Sequence, residues 1–438
     1  MAEDTPGTRA AIRREQEQKL RRLLETLAAT NRFYQRQVGN DPTTASRLSR
    51  LTEFSRLIPF TTKAELVADQ RVTPPYGTNL TYPLDRYTRA HQTSGTTGVP
   101  LRWLDTTESW SAMVDVWAEV LKVAGVTAHD RVVFAFSFGP FIGFWLAFEA
   151  AGRLGALCLP TGGLSTVARL RMITDHRATV ICCTPTYALR LAEVAAEERI
   201  DLAHCEVRRL VVAGEPGGSI PATRSRIEQL WPGAKVFDHH GMTEVGPVTH
   251  ECPAQPGVLH VVESAFLAEV VHATTGEPVG ARERGELILT TLHRTGSPLL
   301  RYRTGDLVCP RHAPHDLSAR ACACGRSTLT LEGGILGRVD DMLIIRGVNV
   351  FPAAIEEILR GFPEIAEYQV AVSRPEGLPE MIIRIEPSAG CLDLAATVRD
   401  VAHTLQTALS LRVPVIPVPP GRLPRFELKS KRWVQESA

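Results

Sequence analysis

The sequence predicts an α/β protein in two parts: a large N-terminal domain of mostly parallel sheets covered by helices, and a small C-terminal α+β domain. Three observations carry this. Short β-rich apolar runs alternate with helical patterns through the middle of the chain, the rhythm of parallel strands joined by helical crossovers. From about residue 338 that rhythm gives way to a compact βαββαβ-like order. The chain is 438 residues long, 44% hydrophobic and 22% charged, which supplies ample core but exceeds what one core ordinarily serves.

Taken in order, residues 9 to 28 place Leu20, Leu23, Leu24 and Leu27 at helical spacing among many charges, an amphipathic helix. "RVVFAFSF" reads as a strand before a helix containing "LAFEAAGRL", and "ATVICCTPT" precedes "YALRLAEVAAEE". "VRRLVVAGEP" precedes "ATRSRIEQLW", which leads to "AKVFDHHG". The longest uncharged run, Val132 to Phe148, is too short to span a bilayer comfortably and is broken by Gly139-Pro140. A buried strand, a tight turn and a core helix fit it better.

The domain boundary is placed after Gly337, dividing the chain into 1–337 and 338–438. Beyond it "MLIIR" reads as a strand and "FPAAIEEILRGF" as a helix with Pro352 in its first turn. "AEYQVAVSR" and "EMIIRIE" form paired strands, Leu394, Val398, Val401, Leu405 and Leu409 share a helix face, and "VPVIPV" closes the unit.

Charge is balanced, with 49 Lys and Arg against 48 Asp and Glu, so neither a nucleic acid nor a membrane surface is an expected partner. The opening residues are polar and charged, without a signal-peptide pattern. Nine scattered cysteines form no disulfide framework, which suits a reducing, cytoplasmic location.

Four segments point to chemistry. "TSGTTGVPLRW" (93–103) offers glycines, hydroxyls and bare backbone N–H groups suited to phosphate oxygens. It ends in Val99-Pro100 where a phosphate loop ordinarily has lysine, so the cation must come from elsewhere. "HHGMTEVGP" (239–247) carries Glu244 beside Thr243, and "RYRTGDLV" (301–308) sets Asp306 after a glycine turn, suited to two ribose hydroxyls. "GRVDDMLIIRGVNVFPAAIEEIL" (337–359) joins the domains. Each alone is explicable as a turn or linker; their order and separation together are not. A separate set, Cys252 and His260 with Cys322 and Cys324 in "ACACGRS", forms a Cys₃His group suited to closed, structural zinc. His250 and Cys309 are substitutes.

Through these segments, with "PFTTKAEL" (59–66), "CTPTYAL" (183–189) and "GEP" (214–216), the chain resembles the adenylate-forming superfamily, and most closely the phenylacetate–CoA ligase family. The resemblance implies ATP-dependent activation of a carboxylic acid as acyl-AMP, release of pyrophosphate, then transfer to a thiol, usually that of CoA. It also implies that the small domain is mobile. Ser94, Gly95, Thr96, Thr97 and Gly98 would cradle the β- and γ-phosphates, Glu244 would coordinate Mg²⁺, and Thr243 would touch the α-phosphate. Gly214, Glu215 and Pro216 would flank adenine, with His240, Gly241 and Met242 in the same nucleotide site. Asp306 would take the ribose, Arg338 would lie near ribose or phosphate, and Asp340 falls at the hinge. The missing cation resembles Lys429 in "LPRFELKSKRW" (423–433), with Lys431 the alternative.

The sequence departs from the family pattern at Leu428, where glycine is usual, at His240, often tyrosine, and at Val99, often lysine. Phe134, Phe136, Phe138, Phe141 and Phe144 match the acyl-pocket region, with Phe136, Phe141 and Tyr187 the expected contacts, which suits an aryl or arylacetic acid. The acceptor stays open among CoA, a carrier-protein thiol and an amine, as does nitrite adenylation for attack by an arylamine. A non-catalytic nucleotide binder is a further alternative, and a homodimer is compatible with each.

Overall fold

Five four-residue strands build the sheet that organises the large domain. Their order is Leu157–Pro160, Arg131–Phe134, Val180–Cys183, Arg209–Val212 and Lys235–Asp238, every neighbour parallel. The computed structural model describes residues 8–38, 47–48, 50–93, 100–341, 343–345, 348–373, 380–427 and 430–436.

Strand side chains alternate between two apolar layers, as the pleat requires. Val132, Phe134 and Cys182 enter one layer beneath the helices Thr107–Val123 and Trp145–Arg153. Val133, Ile181, Cys183 and Val212 enter the other, covered by Thr166–Asp175, Pro185–Glu197 and Pro221–Leu230. Local chemistry sets where these helices begin. Ser165 accepts from the Ala168 N–H, Thr184 accepts from the Tyr187 N–H, and Pro185 and Pro221 occupy first turns. Because the strands are parallel, all three covering helices start along one edge of the sheet.

The alternation read from sequence describes this half; two ribbons, Tyr87–Gln92 with Arg102–Thr106 and Gly241–Met242 with Gly246–Pro247, and two larger antiparallel sheets complete the domain. One has the order Phe266–Val271, Gly285–Thr291, Tyr302–Val308, Gly337–Arg338; the other joins Thr249–Cys252, Gln255–Val261 and Thr330–Glu332. Trp103, Leu259, Phe266, Leu287 and Tyr302 share their core. The first helix, Arg9–Thr30, buries the four expected leucines, and Gln16 donates to the Glu263 and Phe266 carbonyls.

Arg338 pairs with Asp306 in the large domain's sheet, so that ladder runs one residue past the expected boundary. The small domain has its own core around Ile355, Tyr368, Ile383, Val401 and Leu405. Its first strand, Leu343–Ile345, belongs to a separate hairpin with Val348–Val350. The main sheet runs Val415–Pro417, Glu380–Pro387, Ile365–Ser373, Trp433–Gln435, its last strand supplied by the C-terminal tail. The helices Pro352–Arg360 and Leu394–Leu409 lie where the sequence placed them. Among the described residues no helix is long and apolar enough to cross a membrane.

One buried ion pair ties the strand Arg102–Thr106 to the segment that follows Gly285–Thr291. Arg294 and Asp105 are both fully buried and bonded twice, Nε to Oδ1 and Nη2 to Oδ2, each at 2.6 Å. Arg294→Ala strands a buried carboxylate and is expected to cost about 3–5 kcal/mol. Replacing both partners, as in Arg294→Met with Asp105→Leu, is expected to recover most of that loss. Urea midpoints of the three proteins decide it; equal loss in the single and double variants contradicts it.

Candidate active site

A glycine turn brings the first functional carboxylate into place. Gly305 has φ +77°, and a Cβ there would sit 2.6 Å from Arg338 Nη2, so only glycine admits that guanidinium. Asp306 follows, buried. Its Oδ2 lies 2.9 Å from His240 Nε2, and Arg338 Nη1 donates to Oδ1 at 3.4 Å. Arg338 also grips Asp340, Nε to Oδ1 at 2.8 Å and Nη2 to Oδ2 at 3.1 Å. Loss of water pushes the Asp306 carboxyl up to about 7 against the pull of Arg338.

Glu244 forms the second end of the site. It is buried, with Lys63 Nζ at 3.3 Å from Oε1 and the Tyr302 hydroxyl donating to the same oxygen at 3.5 Å. Lys63 is the first residue of the helix Lys63–Val72, which Thr62 and Glu65 close with a reciprocal capping box. Upstream of Glu244, Arg294 Nη1 donates to the Thr243 carbonyl at 2.6 Å. The strand Arg102–Thr106 carries Asp105, so one guanidinium relates that strand to the turn bearing Glu244.

At the third corner the domains meet. Glu215 Oε1 accepts from the Thr186 N–H at 2.9 Å, and Oε2 accepts from the Ser430 N–H of the small domain at 2.7 Å. Glu427 accepts from Thr166 Oγ1 at 3.0 Å.

Comparison with known proteins settles the family. The AMP-binding enzyme pattern matches residues 91–293, and that of the AMP-binding enzyme C-terminal domain matches residues 347–436. A phenylacetate-coenzyme A ligase from Thermus thermophilus is 33% identical over 96% of this chain and 95% of its own. The chain belongs to the phenylacetate–CoA ligase family of AMP-binding enzymes.

Among solved structures, 2-hydroxyisobutyryl-CoA ligase in its postadenylation state superposes with a TM-score of 0.88, at 27% identity over 97% of this chain and 89% of that one. The same ligase in its thioesterification state, with 2-HIB-AMP and CoA, gives 0.66 at 28% identity over 96% and 89%. This phenylacetate–CoA ligase relative is therefore an adenylate-forming acid–CoA ligase: it activates a carboxylic acid with ATP and passes the acyl group to CoA.

The structure brings Glu244, Thr243, His240, Asp306 and Arg338 into one region, as their motifs anticipate. Ser94 to Gly98 and Lys429 lie outside the described residues; Lys431 is described and exposed. The aromatic residues divide. Phe136 packs at tilted and edge-to-face angles against Phe138, Phe141 and Phe144, at centroid distances of 4.6, 6.5 and 5.1 Å. Tyr187, grouped with them in the sequence reading, is fully buried in the layer on the opposite face of the sheet, its hydroxyl 3.1 Å from Thr166 Oγ1. Lys63 and Arg294 were assigned no role from sequence. The capping box in "TTKAEL" fixes the first locally, whereas nothing local marks a partner 189 residues away.

Cys252, His260, Cys322 and Cys324 present four ligand atoms all within 4.8 Å of one another. Cys252 Sγ is 3.6 Å from Cys322 Sγ, and Cys324 Sγ is 3.4 Å from His260 Nε2. His260 Nδ1 engages Thr328 Oγ1 at 2.8 Å, leaving Nε2 toward the sulfurs. Gly325, at φ +85°, closes the turn that presents Cys322 and Cys324. His250 stacks on His260 but, with Cys309, is outside the set.

Asp306 yields a pH test. Its folded pKa lies above the unfolded one, so the stability it contributes is full in acid and lost as pH rises through about 7. Asp306→Asn is expected to gain stability over the unsubstituted chain between about pH 4 and 7, by on the order of 2 kcal/mol, while losing ATP affinity. Urea midpoints across that range and calorimetric ATP titration check both; a pH-independent gap contradicts the first.

Proposed function

We propose that the acid is aryl or arylacetic. The observation carrying this is a continuous aromatic wall. It runs from Phe138 through Phe136 and Phe144 to Trp117, whose ring centroid lies 4.1 Å from that of His239, next to the Asp306-bound His240. Such faces take a planar ring by offset or edge contacts. The Thermus relative is by name a phenylacetate–CoA ligase, which supports the same reading.

In the first step a carboxylate oxygen of the acid attacks the α-phosphorus of ATP, the bond to pyrophosphate breaks, and a mixed anhydride forms. Two anions must meet, so neutralising charge is the site's main task. Asp306 accepts from the ribose hydroxyls, with Arg338 holding its carboxylate in place. His240 stacks on adenine and Gly214, Glu215 and Pro216 flank it. Ser94 to Gly98 supply N–H and hydroxyl donors to the outer phosphates, with Gly241 and Met242 shaping the approach and Thr243 at the α-phosphate. Glu244 would hold Mg²⁺, whose chemistry when bound is to neutralise charge on the phosphates. Its surroundings fit, being a buried carboxylate whose described cation, Lys63, stands on a half-exposed side chain able to withdraw. Lys429 comes from the small domain, with Asp340 at the hinge. In the second step the thiol of CoA attacks the acyl carbon and AMP leaves. The higher TM-score with the postadenylation state supports the view that the arrangement seen here serves the first step.

We also infer that Cys252, His260, Cys322 and Cys324 hold a structural zinc ion. The donor set supports this, three thiols and an imidazole nitrogen whose other nitrogen is already engaged. Elemental analysis is expected to give about one zinc per chain, with Cys324→Ser losing it and melting at lower temperature. A metal-free, equally stable unsubstituted protein contradicts the assignment.

Acid-dependent exchange of labelled pyrophosphate into ATP tests the main reading. It is expected with aryl or arylacetic acids, and weakly or not at all with short-chain acids. Exchange confined to short-chain acids overturns the aromatic assignment.

A further inference from the structure

We propose that Thr166, with Tyr187 behind it, is a positioning residue for adenylation: it seats the small domain on the large one in the arrangement that the first step uses. This rests on the two-step reading above.

The dock is assembled where helices begin. Thr166 opens the helix Thr166–Asp175, and Thr186 and Tyr187 lie in the first turn of Pro185–Glu197. These are ends where backbone N–H groups lack helical partners and carboxylates are favoured. The small domain meets them with matching groups. Glu427 Oε1 accepts from Thr166 at 3.0 Å, and Arg432 Nη1 donates to Thr186 Oγ1 at 3.3 Å. Arg432 is itself fixed within the small domain by Glu367, at 2.7 and 3.0 Å. Glu357 accepts from the Ala222 N–H at 3.0 Å, at the start of the third covering helix.

Tyr187 gives the contact its direction. A carboxylate only accepts, so Thr166 must spend its single proton on Glu427. The Tyr187 hydroxyl, 3.1 Å from Thr166 Oγ1, then donates to the threonine oxygen. Full burial of Tyr187 fixes that donor in place. The chain Tyr187 to Thr166 to Glu427 thus ends on the carboxylate two residues before Lys429. This gives the buried tyrosine a role that its distance from the Phe136 layer denies it in acid binding.

A contact made in one domain arrangement and broken in the other shifts the balance between them by its own strength. Removing the Thr166 hydroxyl therefore slows the step that needs this arrangement and spares, or speeds, the other.

The test compares unsubstituted chain, Thr166→Val, Thr166→Ser and Tyr187→Phe, with phenylacetate as the acid. Pyrophosphate exchange reports the first step, and conversion of synthetic phenylacetyl-adenylate with CoA reports the second. Thr166→Val is expected to lower exchange roughly tenfold, in line with a hydrogen bond to a charged group, while thioester formation holds or rises. Thr166→Ser keeps the hydroxyl and is expected to retain exchange, and Tyr187→Phe to lose part of it. In acid-free protein, Thr166→Val is expected to speed hydrogen exchange around residues 425–432 without affecting 131–160. Equal loss in both half-reactions, loss in neither, or unaltered hydrogen exchange overturns the proposal. An unsubstituted protein that performs neither half-reaction overturns the two-step reading first, and the dock with it.

Discussion

The buried pair of Asp105 and Arg294 is the constraint on which the site depends. Each buried charge compensates the other, and the guanidinium's donors reach two separate elements. Two donors go to Asp105 on the strand Arg102–Thr106, and one goes to the Thr243 carbonyl beside Glu244. Trp103 lies against the guanidinium at 5.3 Å and shields it. The distance between the strand Arg102–Thr106 and the turn bearing Glu244 is therefore set in the core.

The opposite end of the site shows the complementary arrangement, a carboxylate kept in a place that costs stability. Asp306 is buried enough to resist ionising, yet Arg338 beside it favours the charged form. Arg338 relieves the tension from one side and binds Asp340 with its remaining donors. Asp306 and Asp340 thus share one guanidinium. Glu215 plays a similar double part, bridging the start of a large-domain helix and the Ser430 N–H.

Much of this was legible in the sequence, for identifiable reasons. Parallel strands buried on both faces read as apolar runs, and proline or hydroxyl residues at helix starts mark the crossovers, so "ATVICCTPT" announces both a strand and its helix. Ligand-facing loops use glycine, carboxylate and hydroxyl in tight spacing, which local reading detects. Contacts made only by folding were hidden. Asp105 and Arg294 are ordinary in their own segments, and Lys63 entered only as part of "PFTTKAEL". Tyr187 was placed by its proximity in sequence to a functional motif, but it stands in the first turn of the helix Pro185–Glu197, which covers the other face of the sheet. The strand Trp433–Gln435 escaped because three residues carry too little pattern.

The central claim is that the acid is activated as an acyl-adenylate before CoA arrives. Its most direct test is the fate of carboxylate oxygen. With phenylacetate labelled with ¹⁸O in the carboxylate, ATP and CoA, the account predicts one ¹⁸O in the phosphate of the AMP released and none in pyrophosphate. Label appearing in inorganic phosphate with ADP as co-product, or AMP released without label, would contradict it.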